Sequence, residues 1–272
     1  MDEKGTSGHL MLITPERVFY AGLLGRPRAR CSGACHIYVA IRDGLWISTA
    51  DGREAYGGLL AVAPNVRHTV TSDYRSVISV TIEPESVRPG ALDELIRRLM
   101  GEERELFVQR VRAAYGELLS RARRDDITTH AFDLMCFGEA LPARELDPRV
   151  VKAIAQIGRF CGEPVTAASC ATEAGLSASR FLHLFKQETG ISFRSFRAWK
   201  RARHLLHFAN QDLNLAHLAQ DIGYPDSTHF SHSIRRFYGL KPRAIFSGSR
   251  DLAIYHAHPI EAANSGLTQE AT

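Results

Sequence analysis

No apolar run in this chain approaches the roughly 18 residues needed to span a bilayer, so a transmembrane role is not expected. The first residues, Met1-Asp2-Glu3-Lys4-Gly5, lack a basic segment followed by an apolar core, so no signal peptide is expected either. Cysteine is scarce. Five are scattered over 272 residues, at positions 31, 35, 136, 161 and 170, an odd number that suits reduced thiols in a cytoplasm rather than a disulfide framework. Catalytic fingerprints are missing as well. There is no Gly-x-Ser-x-Gly, no His-Glu-x-x-His, no phosphate-binding loop and no dinucleotide motif, and the expectation is that the chain is not an enzyme. A metal site is not expected. No His-x-His with a following Glu is present, and Cys31, Cys35 and His36 make only a weak Cys-x-x-x-Cys-His signal, better read as structural thiols and histidines.

What is present is ordinary globular material, 44% hydrophobic and 24% charged, in a length sufficient for two domains. The net charge of +4 is unevenly spread. Residues 1–148 carry 19 basic and 21 acidic side chains, residues 149–250 carry 15 and 6, and the remainder carries three acids alone. A net +9 in the second segment is the electrostatic footprint of a polyanion binder.

Two helix-turn-helix signals lie in that segment. The first runs from Ala171 through Gly175, Ser177 and Phe181 to Lys186, and the second from Ala219 through Gly223, Asp226 and Phe230 to Phe237. Each has a small Ala, a Gly four residues later, a polar cap and then a helix with one apolar face. Thr166 and Asn214 are placed to cap the first helix of each pair, and Ser177 the second helix of the first pair. Gly190 and Gly239 are placed to stop the two recognition helices, and a helix over roughly 195–209 joins the pairs.

The N-terminal half reads differently. From about Pro15 to Ile82, short apolar or alternating runs (18–20, 36–41, 45–48, 58–63 and 76–82) are separated by the turn signals Asp43-Gly44, Asp51-Gly52, Gly57-Gly58 and Pro64-Asn65. A small antiparallel barrel or sandwich is the expected result. After Pro89-Gly90 the period becomes helical. Leu92, Leu95, Ile96 and Leu99 form one stripe, and Phe107, Val108, Val111, Tyr115, Leu118 and Leu119 another. These helices, at 91–123, could form a dimer seam or pack on the barrel. Leu141 to Pro148 reads as a linker, with Asp147-Pro148 opening a helix over 151–161. The expected division is 1–145 for a sheet-and-helix domain with a possible homodimer seam, 146–250 for a DNA-binding domain, and 251–272 for a tail that frays.

In Gly175 to Gly190 and Ala219 to Pro242 the chain resembles the AraC/XylS family of bacterial transcription regulators. Cys170 stands where Leu is usual, Tyr224 and Ile234 replace Phe, and His232 stands where Arg is common. The N-terminal half is similar, more loosely, to the cupin-like sensor of such regulators: His36 opens a strand, Asp51-Gly52 sits in a hairpin, and Leu60 to His68 supply a later strand and turn. The resemblance implies an α+β multidomain fold, with a small antiparallel cupin-like β-barrel and its following helices ahead of an all-α domain with two helix-turn-helix motifs. It implies a sequence-specific activator that binds double-stranded DNA, responds to a small-molecule effector and works with RNA polymerase.

Ser179, Leu182 and His183 match positions that face bases in the family, and Arg180 could reach a base or a phosphate. In the second motif Ser227, Thr228, His229 and His232 face outward. Lys186, Arg235 and Arg236 sit a turn later and suit phosphates. An effector pocket is expected inside the barrel near His36, Trp46 and His68. Arg26 and Arg30 form an Arg-x-x-x-Arg element similar to one that clamps cyclic dinucleotides. The partner motif Asp/Asn-x-Ser-x-x-Gly is not evident downstream, and a solvated loop is the alternative reading. The contrasting functions are a metal-dependent cupin-type enzyme with an accessory DNA-binding domain, and a DNA-binding protein without a ligand.

Overall fold

The computed structural model describes residues 8–42, 44–121, 126–159, 165–246 and 251–256. Cys161 and Asp43 lie outside the described residues, as do positions 122–124 at the end of the basic run after the second helical stripe.

The first part of the chain lays down β1 (Leu10–Ile13), β2 (Arg17–Leu23), β3 (Cys35–Ala40), β4 (Leu45–Thr49), β5 (Glu54–Gly57), β6 (Leu59–Val62), β7 (His68–Ser72) and β8 (Ser76–Ile82). A further strand, β9 (Ala253–His256), comes from the far end. They fall into two sheets, one six-stranded in the order β6-β3-β8-β2-β1-β9 and one three-stranded in the order β5-β4-β7. Pairing is antiparallel throughout except between β1 and β9, which run parallel.

The segment after residue 250, expected to fray, therefore contains a strand. Ala253 to His256 pair with Leu10 to Ile13, a strand that itself begins before the predicted run. Four residues are too few to stand out as a strand in a sequence; the edge of β1 supplies their partners.

Because side chains alternate along a strand, the large sheet has two distinct faces. Leu12, Phe19, Ala21, Cys35, Ile37, Val39, Ile78, Val80 and Ile82 lie on one. They pack against three helices, α1 (Ala91–Met100), α2 (Arg104–Ser120) and α3 (Thr129–Phe137). Leu95, Leu99, Phe107, Val111, Ala114, Leu118 and Phe132 fill that layer. Of the two uses open to the helical stripes, the structure shows packing on the sheet. Leu119 alone of the second stripe is left well exposed. Arg17, buried in the same layer, is held by a two-pronged ion pair to Asp133 at 2.8 and 2.9 Å.

The opposite face is shared. Tyr38, Ala40 and Val77 meet Leu45, Ile47 and Val70 of the small sheet. Met11, Ile13 and Val18 meet Leu206 and Leu252 instead. Part of this face is covered by the small sheet and part by the helical region that follows, and the second contact positions the functional site.

That region contains α4 (Pro148–Arg159), α5 (Ala167–Glu173), α6 (Ala178–Thr189), α7 (Phe193–His204), a 3-10 turn over Leu205–Phe208, α8 (Leu215–Asp221), α9 (Ser227–Tyr238) and α10 (Pro242–Phe246). Val150, Ile157, Phe181, Phe185, Phe193 and Phe196 form one core, and Leu205, Leu218, Ile222, Tyr224, Phe230 and Ile234 a second. Among the described residues, no helix is long and apolar enough to cross a membrane.

Candidate nucleic-acid interface

The two helix pairs, α5–α6 and α8–α9, are built alike down to single hydrogen bonds. The amide of Leu176 donates to the carbonyl of Ala171 at 2.9 Å, and that of Tyr224 to Ala219 at 2.8 Å. One residue earlier, Gly175 donates to Thr172 and Gly223 to Gln220. This is the Schellman-type helix stop, and it needs a left-handed residue; Gly175 and Gly223 supply it at φ +64° and +79°.

The second helix of each pair then starts at a side-chain cap. Ser177 accepts from the amide of Arg180, and Asp226 accepts from those of Thr228 and His229. Thr166 and Asn214 cap α5 and α8 as expected, and Gly190 and Gly239 end α6 and α9 in left-handed conformations.

The turn into α9 is one residue longer than the turn into α6. Counting from the caps, Phe181 therefore corresponds to Phe230, Phe185 to Ile234, His183 to His232 and Lys186 to Arg235. The apolar members of these pairs are buried. Ser179, Arg180, Leu182, His183 and Lys186 on α6 are all exposed, as are Ser227, Thr228, His229, His232, Arg235 and Arg236 on α9. Each helix thus offers a polar face mounted on an aromatic or aliphatic anchor, the arrangement needed to present side chains to a groove.

One residue differs in its engagement. The imidazole Nδ1 of His229 lies 2.7 Å from the capping carboxylate of Asp226, and hydrogen bonds with His229 hold that carboxyl below its usual range. The helix register pairs His232, not His229, with His183. The Asp226–His229 interaction was not expected from the sequence, although the i, i+3 spacing within the cap is a signal for it.

The helices are tied together by α7. Arg201 donates to the carbonyl of Gly223 and lies over the Tyr224 ring at 4.9 Å, so the joining helix clamps the second turn. Arg197 holds the first pair at its entry instead, donating to the carbonyl of Val165 just ahead of α5.

Residues 170–247 match the family model described as a helix-turn-helix domain. The chain is 33% identical over 111 residues to the HTH-type transcriptional activator RhaS of Escherichia fergusonii, a match that covers 40% of this chain and 39% of that protein. Over this domain the chain is similar to regulators of the AraC/XylS family. It spans about two fifths of the length of RhaS in that alignment. The architecture as a whole is similar to crystal structures of ToxT from Vibrio cholerae. One has a TM-score of 0.52 at 10% identity, covering 85% of this chain and 97% of that one. Another, of ToxT with an unsaturated fatty acid bound, has a TM-score of 0.52 at 10% identity and covers 86% and 97%.

The helical region is bolted to the sheet region through α7. Glu83, fully buried at the end of β8, receives Lys200 at 2.7 Å, Arg203 at 2.9 Å and the indole N–H of Trp199 at 2.9 Å. Burial alone would raise the Glu83 carboxyl, but Lys200 and then Arg203 hold it below its ordinary value. Burial raises Glu85, which also pairs with Lys200. Arg203 donates further to the carbonyls of Thr14 and Arg17. A second junction joins the loop before β3 to the end of α9, where the amide of Cys31 donates to the carbonyl of Arg236 at 2.8 Å.

Between these two junctions lies a cavity of about 560 Å³. Its walls are apolar on both sides: Met11, Val18 and Tyr20 from the large sheet, and Leu206, Ile245 and Leu252 from the helical side. Arg26, Arg28 and Lys241 reach it from the rim, while Arg30, its Nε buried, lies deeper beside Tyr38, and His36, Tyr38, Ser79 and Thr81 line the sheet floor.

Of the expected effector residues, the structure gathers His36, Arg26 and Arg30 here. Trp46 is elsewhere. It lies on the outer face of β4, half exposed, against Tyr56 at 4.7 Å between ring centroids. One step in strand register decides this, because Leu45 and Ile47 take the inner face. His68 is close to His36, 6.3 Å between ring centroids, but both its nitrogens are occupied, Nε2 by the Tyr38 hydroxyl and Nδ1 by the Val66 carbonyl, each at 2.9 Å. It does not line the cavity and holds Tyr38 instead. His36 has its Nδ1 at 3.3 Å from the Ser79 hydroxyl, while its Nε2 is buried without a partner. Burial pushes the Cys35 thiol up to about 12, as befits a core thiol. Among the described residues no group of three or more His, Cys, Asp or Glu side chains is gathered as a metal would need.

Proposed function

We propose that the chain is a one-component, sequence-specific transcription regulator. In this reading α6 and α9 are the recognition helices of two helix-turn-helix motifs and enter successive major-groove segments of one DNA site. The single observation that supports it most is the repetition of one capped, Gly-stopped helix pair, with polar outer faces, inside the segment of net +9 charge. Ser179, Leu182, His183, Ser227, Thr228, His229 and His232 are the proposed base-edge readers; Arg180, Lys186, Arg235 and Arg236 are assigned to phosphates. The domain division at 145/146 belongs to the same proposal, as do a cytoplasmic location, activation through RNA polymerase and a possible homodimer.

The sensor half of the proposal is a cupin-like sheet domain whose effector sits in the 560 Å³ cavity shared with the helical domain. Apolar walls with a cationic rim suit an amphipathic organic anion. The fatty acid bound in the ToxT structure is consistent with that class. A ligand touching both domains shifts their relative arrangement by its differential affinity for the two states, a coupling of about 1–3 kcal/mol.

The test is selection of genomic fragments bound by the full chain, followed by affinity measurement on the selected site with and without medium- and long-chain carboxylates. With about 6–10 phosphate contacts, affinity should fall about 10³–10⁵ between 50 and 200 mM salt. Enrichment of no sequence, or a flat salt profile, refutes the DNA-reading assignment. Unchanged DNA affinity with every acid that binds refutes the effector class alone.

A further inference from the structure

The end of α9 carries a second concavity of about 570 Å³, which adjoins the interdomain cavity and shares Arg28, Arg30 and Gly239 with it. Arg28 and Arg30 from the loop before β3, Arg67 from the turn before β7, and His232, Arg235 and Arg236 from α9 all line it. Arg28, Arg67, His232, Arg235 and Arg236 are exposed, and among the described residues none of the five guanidiniums forms an ion pair. Four exposed guanidiniums from two domains, Arg28, Arg67, Arg235 and Arg236, converge without an anion in the lining, with Arg30 half-buried behind them, an arrangement whose self-repulsion a bound polyanion would relieve.

The sheet-domain cations are held in place. Arg30 and His68 exchange backbone hydrogen bonds at 2.8 and 2.9 Å, fixing the loop to β7. The Cys31 amide caps the carbonyl of Arg236. Gly239 ends α9 so close to the loop that an added Cβ would lie 2.8 Å from the Arg28 carbonyl. The loop is seated directly on the last turn of the helix that the proposed function places in the groove.

We propose that the sheet domain itself binds DNA. Arg28 and Arg67 extend the phosphate-contacting track of Arg235 and Arg236 beyond the helix-turn-helix domain, onto the backbone flanking the segment that α9 reads. The contacts are to phosphodiesters, so they add affinity and fix orientation without reading bases. This inference rests on the DNA-binding function proposed above.

The test uses the full chain, the selected duplex and a version lengthened on the α9 side. Fluorescence anisotropy is recorded across a salt series for the unsubstituted protein, for Arg28→Ala with Arg67→Ala, and for Arg67→Glu. The double substitution is expected to lower the slope of log affinity against log salt by about 0.9 for each phosphate no longer neutralised, with the preferred sequence unchanged. Arg67→Glu should weaken binding further, and phosphate-ethylation interference should mark backbone positions outside the α9 segment that vanish in the double variant. The residues are exposed, and the thermal midpoint of each variant reports whether the fold is intact. Slopes and interference equal to those of the unsubstituted protein overturn the proposal while leaving the helix-turn-helix reading intact. So does loss of binding to a cyclic dinucleotide probe with DNA binding unchanged, which would assign the cleft to a small anion. If the unsubstituted protein binds no DNA selectively, the underlying function fails and this inference with it.

Discussion

Removing the charge of Glu83 tests how the two halves of the molecule are joined. Glu83→Gln keeps the size of the side chain and an acceptor for the Trp199 indole, and removes the partner of Lys200 and Arg203. Breaking a buried ion pair from one side typically costs about 3–5 kcal/mol, because the cations left behind stay desolvated. Here the lower figure applies. Lys200 retains Glu85, and Arg203 retains the carbonyls of Thr14 and Arg17, so neither is stranded. A loss of about 3 kcal/mol is expected, concentrated in the junction rather than in either core. Calorimetry should show the unfolding endotherm of the full chain moving down and broadening, as sheet and helical regions lose cooperativity. The double variant Glu83→Met with Lys200→Met closes the cycle. Its loss should be smaller than that of Glu83→Met alone, since the pair is then replaced by apolar groups of similar reach. A loss under about 1 kcal/mol for Glu83→Gln, with a sharp single transition, would refute the view that this carboxylate bolts the domains together.

Stability should also fall on acidification below pH 6.5. Burial, aided by neighbouring cations and imidazoles, lowers His36 and His207 to about 3 and His68 and His204 to about 4, from an ordinary 6.5. A histidine depressed in the folded state binds its proton only on unfolding, so its stabilisation is present above pH 6.5 and is lost as pH drops towards 4. At pH 5 each costs about 2 kcal/mol, and denaturant midpoints equal at pH 7.5 and 5 would contradict this. His207 and His256, whose Nδ1 atoms lie 2.7 Å apart, should make detachment of β9 an early acid event, visible as faster amide exchange at residues 253–256. On the DNA side, His183→Ala and His232→Ala should each cost about 1–3 kcal/mol on the selected site and little on random DNA, relaxing base preference at positions about one helical turn apart. Equal losses on both DNAs would show that these imidazoles do not read bases.

The helical half was nearly complete in the sequence, because every signal that shapes it is local. Caps at Thr166, Ser177 and Asn214, stops at Gly190 and Gly239, and the Phe181–Phe185 spacing act within one or two turns of chain, and each is found where the pattern places it. The cap of Asp226 on α9 has the same origin. What depended on pairing between distant segments was not legible. The strand β9 exists only because β1 offers an open edge more than two hundred residues earlier in the chain. Trp46 and Leu45 are neighbours in sequence, yet strand register sends one to solvent and the other to the core.

By itself, the sequence determined the order of domains, the positive charge gathered on residues 149–250, and the outward faces of α6 and α9. Helix period, capping chemistry and charge are properties of contiguous residues. Only the tertiary structure decided that the apolar stripe of α2 covers the large sheet, that Glu83 meets Lys200 and Arg203, and that a cavity opens at the junction between the domains rather than inside the barrel, where the sequence pointed. Burying one face of the large sheet against helices leaves the other face larger than the small sheet can cover. The remaining area is covered by the helical domain, and the cavity forms where that cover is incomplete.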